Sequence, residues 1–141
     1  MKNIRLSAVV LTVLLAAVGL RSAFGQDATA AAQATVQSWL GLVDEQRYAE
    51  SWQAAAGFFK NAVTEQKWQE AVQTARGPLG PLKSRTVKST TSSKTMPGAP
   101  DGDYVLLQFN TTFERKAAAV ETVTAVREAD GAWRVVGYFV R

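Results

Sequence analysis

The sequence predicts an α+β domain in which three N-terminal helices pack against one face of a curved, four-stranded antiparallel sheet. Residues 27–76 are rich in Ala, Gln and Glu and contain no proline, a composition that favours helices. From about residue 83 the composition changes to Thr, Ser, Val and aromatic residues, which favours strands. A chain with helices first and strands afterwards is typical of an α+β domain, because each layer buries its apolar side against the other.

The helical half divides into three segments. In the first, apolar residues recur at helical spacing and define one face, namely Ala32, Val36, Trp39, Leu40 and Val43. Residues 44–47 predict a tight corner, and a second helix with an apolar stripe is expected over residues 48–59. Thr64 predicts the N-cap of a third helix, and Gly77-Pro78 predicts its end.

The second half predicts four strands, over residues 85–96, 104–115, 118–128 and 133–140. In the second of these strands alternate residues are apolar, which places one side of the strand against the core. Asp130-Gly131 is a strong hairpin signal before the last strand. Because the connections are short, the four strands are expected to form an antiparallel meander.

The first 25 residues have the order of a secretory signal peptide. Lys2 and Arg5 precede an apolar run over residues 6–20, and small residues follow it. The run is about 15 residues long, short of the roughly 20 that a membrane-spanning helix needs. We therefore expect cleavage near residue 25, export to the periplasm or beyond, no membrane span afterwards, and one domain over residues 26–141. An uncleaved membrane anchor is the alternative.

Loss of that segment changes the charge of the protein. The chain carries 16 basic and 12 acidic residues, and three of the basic residues but none of the acidic ones lie in the first 25 positions. The remaining domain thus has 13 basic and 12 acidic residues and is close to neutral. Because it lacks the basic surface with which proteins bind nucleic acid, we expect no nucleic-acid partner.

The chain contains no histidine and no cysteine. It therefore cannot form a Ser-His-Asp triad, a cysteine nucleophile, an ordinary zinc site or a haem site with His or Cys ligands. Asp101 and Asp103 supply too few oxygen ligands for calcium. We expect no metal ion and no cofactor, and no residue can be assigned as catalytic.

Several landmarks follow one another along the chain: Trp39, Val43-Asp44, Tyr48, Trp52, Phe58-Phe59, Trp68, Arg76-Gly77-Pro78-Leu79-Gly80, Arg85, Glu121-Thr122-Val123, and the stretch from Asp130-Gly131 to Phe139. Together they resemble an uncharacterised family of secreted bacterial proteins, the domain of unknown function numbered four thousand and nineteen. The resemblance covers roughly residues 36–140 and implies an exported domain of similar architecture, but no catalytic residue, because the family has no assigned activity. A broader similarity to NTF2-like and cystatin-like folds implies helices across a bent sheet that can enclose a pocket.

Five side chains are candidates for ligand binding: Asp44, Tyr48, Trp52, Glu121 and Tyr138. The first three lie at successive four-residue steps, so on a continuous helix they share one face. Asp44 is then a candidate general base with Tyr48 as its hydrogen-bonding partner. Alternatively, Asp44 caps the second helix and the two aromatic residues belong to the core.

Glu121 falls inside a predicted strand, on the same face as Val123 and Ala125. An acid in that position is a candidate for a buried group with a shifted pKa in a pocket. It can equally form an ion pair with Arg85 or Arg134 from a neighbouring strand, or lie on a solvated face of the sheet.

The first functional hypothesis is a non-catalytic module of the bacterial envelope that binds a small apolar ligand or an envelope protein. It rests on the lack of a recognisable catalytic set and on a fold that often forms a pocket. A homodimer through the open face of the sheet is a further expectation. The alternative is a pocketed NTF2-like enzyme, a hydrolase or isomerase, with Asp44 or Glu121 as base and Tyr48 or Tyr138 as donor.

Overall fold

The computed structural model describes residues 23–141, so most of the expected signal peptide lies outside the described residues. The elements are α1 (Ala23–Asp44), α2 (Tyr48–Gln53), α3 (Gly57–Ala62), α4 (Glu65–Arg76), a 3-10 turn (Gly77–Leu79), β1 (Leu82–Ser93), β2 (Tyr104–Phe113), β3 (Lys116–Arg127) and β4 (Trp133–Val140). The predicted α+β class is confirmed, with four helices in place of the expected three. No helix in this range is long and apolar enough to cross a membrane.

Helix α1 buries the face that its sequence predicts. The five apolar residues of that face are each at most 3% exposed: Ala32, Val36, Trp39, Leu40 and Val43. They pack against side chains from the sheet in one continuous core. The helix ends at Asp44, and Gln46 adopts a left-handed conformation with φ of 61°. The predicted corner is therefore confirmed, and it turns the chain into α2.

The expected single helix over residues 48–59 is wrong, because the chain leaves the helix after Gln53 and begins α3 at Gly57. Between them Ala56 is extended, and its N–H donates to the carbonyl oxygen of Val135 in β4 at 2.8 Å. The N–H of Gly57 donates to Glu128 Oε2 at 3.0 Å. These hydrogen bonds to distant residues replace helical ones, and helical spacing in the sequence gives no sign of them.

Helix α4 begins and ends where the sequence predicts. The Thr64 hydroxyl accepts a hydrogen bond from the N–H of Lys67 at 3.3 Å, which satisfies one free donor of the first turn. The helix ends at Arg76, but Gly77 keeps a helical backbone and begins the 3-10 turn. The left-handed residue that releases the chain toward β1 is Gly80, with φ of 75°.

The four strands form one antiparallel sheet in the order β1-β2-β3-β4, so the predicted meander is confirmed. Gly131, with φ of 84°, makes the tight turn between β3 and β4. In β2 the alternate residues that face the helices are buried: Val105, Leu107, Phe109, Thr111 and Phe113. The other side of the sheet has no helix packed against it within the described range.

Aromatic side chains fill the space between the helices and the sheet. The ring of Trp39 lies 5.8 Å from that of Trp68 and 5.6 Å from that of Tyr138, measured between centroids. The Trp39 Nε1 donates to the carbonyl oxygen of Ser51 at 2.8 Å, and Trp68 Nε1 donates to the hydroxyl of the same residue at 2.9 Å. Because both indoles are packed and hydrogen-bonded, this part of the interior is a solid core.

Candidate functional site

A buried ionic network joins six polar side chains between the helices and the sheet: Asp44, Arg76, Arg85, Thr111, Glu121 and Tyr138. Its members come from the last residues of α1 and α4 and from all four strands. Its four charged side chains are between 0 and 17% exposed. With two acids and two guanidinium groups, the network has no net charge.

Glu121 is fully buried, and donors surround its carboxylate. Its Oε1 accepts hydrogen bonds from Arg85 Nε and from the Thr111 hydroxyl, each at 2.7 Å. Its Oε2 accepts one from the Tyr138 hydroxyl at 2.6 Å and one from Arg85 Nη2 at 3.2 Å. The sequence left Arg85 and Arg134 open as ion-pair partners of Glu121. In the structure Glu121 pairs with Arg85.

Arg85 connects the two acids of the network. Its Nη1 donates to Asp44 Oδ2 at 2.7 Å, and its Nη2 donates to Asp44 Oδ1 at 2.9 Å, which is a bidentate contact. The same side chain binds Glu121 through Nε. One guanidinium in β1 therefore holds the end of α1 against the middle of β3.

Arg76 forms the second bridge. Its Nη2 donates to Asp44 Oδ1 at 2.9 Å, its Nη1 donates weakly to the Tyr138 hydroxyl at 3.4 Å, and Nη1 lies 3.7 Å from Glu121 Oε2. Its guanidinium also lies over the ring of Phe113, 4.6 Å from the centroid. Arg76 at the C-terminal end of α4 also complements the helix dipole.

The environment of the network shifts the pKa values of Asp44 and Tyr138 in opposite directions. Burial raises the pKa of Asp44, but the hydrogen bonds and charges of Arg85 and Arg76 outweigh burial and hold it below its ordinary value. Burial, followed by the negative charge of Glu121, raises the pKa of Tyr138 well above its ordinary value. At neutral pH Asp44 is therefore ionised and Tyr138 is protonated.

The occupied lone pairs limit what the acids of this network can do. A general base needs a free lone pair directed at the substrate, and the surrounding donors occupy those of Glu121. Asp44 borders a surface cleft of about 240 Å³, which Tyr48 also lines. Two guanidinium groups bind its carboxylate, which makes it a poor proton acceptor. The arrangement is suited to holding the fold together.

The five predicted binding residues do not form one site. Asp44, Glu121 and Tyr138 meet in the network, and Tyr48 lies at the cleft beside it. The expected continuous helix through Asp44, Tyr48 and Trp52 is wrong, because α1 ends at Asp44 while Tyr48 and Trp52 lie together on α2. The indole of Trp52 donates to the carbonyl oxygen of Val63 at 2.8 Å. The alternative that Asp44 caps the second helix is also wrong, since Asp44 is the last residue of α1.

A second, more apolar surface feature lies at the other end of α1. This depression, called here the α1–sheet groove, has a volume of about 360 Å³. Its lining is Gly25, Ala28 and Thr29 of α1, Ser92, Ser93 and Lys94 at the end of β1, Asp103, Tyr104 and Val105 at the start of β2, Arg127 of β3 and Trp133 of β4. Sequence reasoning missed this groove, because its walls come from five separate parts of the chain.

In the described part of the chain, no group of three or more Asp, Glu, His or Cys side chains lies close enough together to hold a metal ion.

The pH dependence of the free energy of unfolding tests the shifted pKa values of Asp44 and Tyr138. The low pKa of Asp44 gives stability that is present above the unfolded pKa of about 3.9 and is lost as the pH falls below it. The high pKa of Tyr138 gives stability that is present below the unfolded pKa of about 10 and is lost as the pH rises above it. Urea unfolding between pH 3 and pH 11 measures both limbs.

The variant Tyr138→Phe isolates the alkaline limb. At pH 7 it is expected to lose roughly 1.5–3 kcal/mol, because the hydroxyl binds a charged acceptor. Its free energy of unfolding should then fall less between pH 9 and pH 11 than that of the unmodified protein. Tyr48→Phe, which removes a hydroxyl outside the network, is the matched control. Equal alkaline slopes in Tyr138→Phe and the unmodified protein would contradict the assignment.

Glu121→Gln tests the charge balance of the network. The change leaves one carboxylate facing two buried guanidinium groups, which is expected to cost about 3–5 kcal/mol of unfolding free energy. Glu45→Gln makes the same change on a side chain that is 64% exposed, and should stay within about 0.5 kcal/mol. Chemical denaturation at pH 7 compares the two, and a loss below 1 kcal/mol for Glu121→Gln would argue against a balanced network.

A solved structure of a protein from Catenulispora acidiphila, determined at 2.5 Å, is similar to this chain with a TM-score of 0.51 and 14% sequence identity. The similarity covers 84% of this chain and 94% of that one. At this identity it supports a shared fold and nothing about activity. No curated protein sequence is similar enough to count as a relative of the chain.

The family profile described as a protein of unknown function, DUF4019, matches residues 35–138. The match takes in the end of α1, the remaining helices and nearly the whole sheet. On this evidence the chain belongs to the DUF4019 family.

Proposed function

We propose that this chain is a non-catalytic small-ligand-binding module of the bacterial envelope, with the α1–sheet groove as the site for a small apolar molecule. The observation that carries the proposal is the groove. Its volume of about 360 Å³ lies near the lower limit of the range found for small-molecule binding sites, roughly 300–1,000 Å³. The envelope location rests on the signal-like sequence of the first 25 residues.

The floor of the groove is apolar and held in place by the fold. Val105 is 2% exposed, and the preceding residue, Tyr104, anchors the strand from its opposite face, where its hydroxyl donates to the carbonyl oxygen of Pro100. Trp133 packs against the core, and Ala28 of α1 also lines the groove. A ligand gains about 0.8 kcal/mol for each methylene that leaves water, and a preformed floor adds little ordering cost.

The alternative is a pocketed NTF2-like enzyme that uses an acid and a tyrosine. The element order favours an NTF2-like or cystatin-like fold, and the Tyr138 hydroxyl lies 2.6 Å from Glu121 Oε2. That alternative is weaker, because both acids are bound by guanidinium groups and the interior beside them is filled by aromatic side chains. A binding module needs no free acid and agrees better with this arrangement.

A homodimer through the open face of the sheet is a second candidate property. One row of directly paired residues crosses that face: Ser89, Gln108, Thr122 and Phe139. The row contains no charged residue, and Phe139 at its end is 53% exposed. Because an uncharged row that ends in an exposed aromatic ring can stack on a copy of itself, we propose a second copy of this chain as its partner.

The variant Ala28→Leu tests the groove as the ligand site. The larger side chain fills part of the groove, so the affinity for N-phenyl-1-naphthylamine, an uncharged apolar dye, should fall at least about fivefold, the equivalent of about 1 kcal/mol. Ala34→Leu makes the same change at an exposed position of α1 and should bind the dye like the unmodified protein. Dye fluorescence measures both affinities, and equal binding by Ala28→Leu would refute this site.

The variant Phe139→Asp tests the dimer. A carboxylate placed within the proposed contact is expected to shift the protein to the monomer, as measured by size-exclusion chromatography with light scattering. Phe58→Asp changes another exposed phenylalanine, 45% exposed and on α3, and should leave the oligomeric state unchanged. A monomeric unmodified protein at high concentration would rule the dimer out.

A further inference from the structure

We propose that the α1–sheet groove recognises a single-chain amphiphile by its anionic head group, and that Arg127 holds that head group. This inference rests on the proposed function, because it assigns a class of ligand to the same groove. It requires a cation at the groove with free hydrogen-bond donors, an apolar surface next to that cation, and a charge balance that favours an anion.

Arg127 lies directly beside the apolar part of the groove. It is the last residue of β3 and is paired in the sheet with Trp133, the first residue of β4. Both residues line the groove, and both also line a smaller depression of about 260 Å³ that Ala28 and Ala31 border. A guanidinium and an indole thus lie side by side at both depressions, together with the small apolar side chain of Ala28.

The donors of Arg127 are largely unused. Its Nε donates to the carbonyl oxygen of Gly131 at 3.3 Å. Among residues 23–141, its two terminal nitrogens have no hydrogen bond and no carboxylate within 4 Å. Arg76 and Arg85 are bound by acids in the core, and Arg134 is bound by surface acids. The terminal nitrogens of Arg127 can therefore take a bidentate acceptor such as a carboxylate or a phosphate.

The charges around the groove favour an anion. Lys94 and Asp103, which also line it, form an ion pair with each other and cancel. Arg127 is then the cation of the groove that has no ion-pair partner among the described residues, and its charge is the smallest of the causes that act on the pKa of Asp103. Asp27 borders the smaller depression, and its carboxylate would repel an anion that bound close to it. It forms no ion pair with Arg127 within the described residues, so the terminal nitrogens of Arg127 are not bound by it.

The apolar floor distinguishes an amphiphile from a simple anion. An inorganic anion would use Arg127 alone and leave Trp133 and Ala28 in water, whereas an alkyl chain attached to the anion covers them. A fatty acid and an alkyl phosphate share this chemistry. The test therefore includes one of each, together with an uncharged alcohol of the same chain length.

Isothermal titration of the purified protein with decanoate, decyl phosphate and decanol measures the contribution of the head group. We expect at least one of the two anions to bind about tenfold more tightly than decanol, a difference that high salt should reduce.

In Arg127→Gln this preference for an anion over decanol should disappear while decanol binding is unchanged. Arg127→Lys, which keeps the charge but loses the paired donors, should retain part of it. Lys83→Gln removes a charge from an exposed position outside the groove and should bind like the unmodified protein.

The outcomes separate this inference from the proposed function. Equal affinities for decanol and both anions, or a preference that survives in Arg127→Gln, would overturn the role of the anionic head and leave the groove as an apolar site. If neither the three decyl compounds nor the uncharged naphthylamine dye binds, the proposed function fails as well. The anion that binds more tightly identifies the head group as a carboxylate or a phosphate.

Discussion

Glu121 has no exposed surface, and a carboxylate in the middle of a sheet is stable there only if donors replace the water that it has lost. Arg85, Thr111 and Tyr138 supply those donors from the other three strands. The guanidinium in turn requires a second carboxylate, and Asp44 at the end of α1 provides it. The position of the long helix over the sheet therefore depends on how one buried acid is satisfied.

The network also constrains where a ligand can bind. Its two acids are bound by Arg76 and Arg85, and the space beside them is filled by Trp39, Trp68 and Tyr138. The side chains at the centre of the domain therefore stabilise the fold. The surface suited to a ligand is at the other end of α1, where the helix leaves the ends of the strands uncovered. One helix thus serves packing at its C-terminal end and forms a wall of the groove at its N-terminal end.

Local patterns predicted the elements well and the contacts among distant residues poorly. The helical spacing of Val36 and Leu40, the cap at Thr64 and the turn at Gly131 all depend on a few neighbouring residues, and the structure has each of them. The break after Gln53 depends on hydrogen bonds from Gly57 to Glu128 and from Ala56 to Val135, partners more than 70 residues further along the chain, which no local pattern contains. Arg127 and the groove were missed for the same reason.

By itself the sequence determined the α+β class, the order of the strands, the apolar face of α1 and the near neutrality of residues 26–141, because these follow from composition and periodicity. It also offered two partners for Glu121 without choosing between them. Only the tertiary structure selected Arg85, brought Asp44 to it and built the groove around Trp133. The physical reason is that a buried charge and a groove are each made by side chains far apart in the chain, whose meeting is decided by packing.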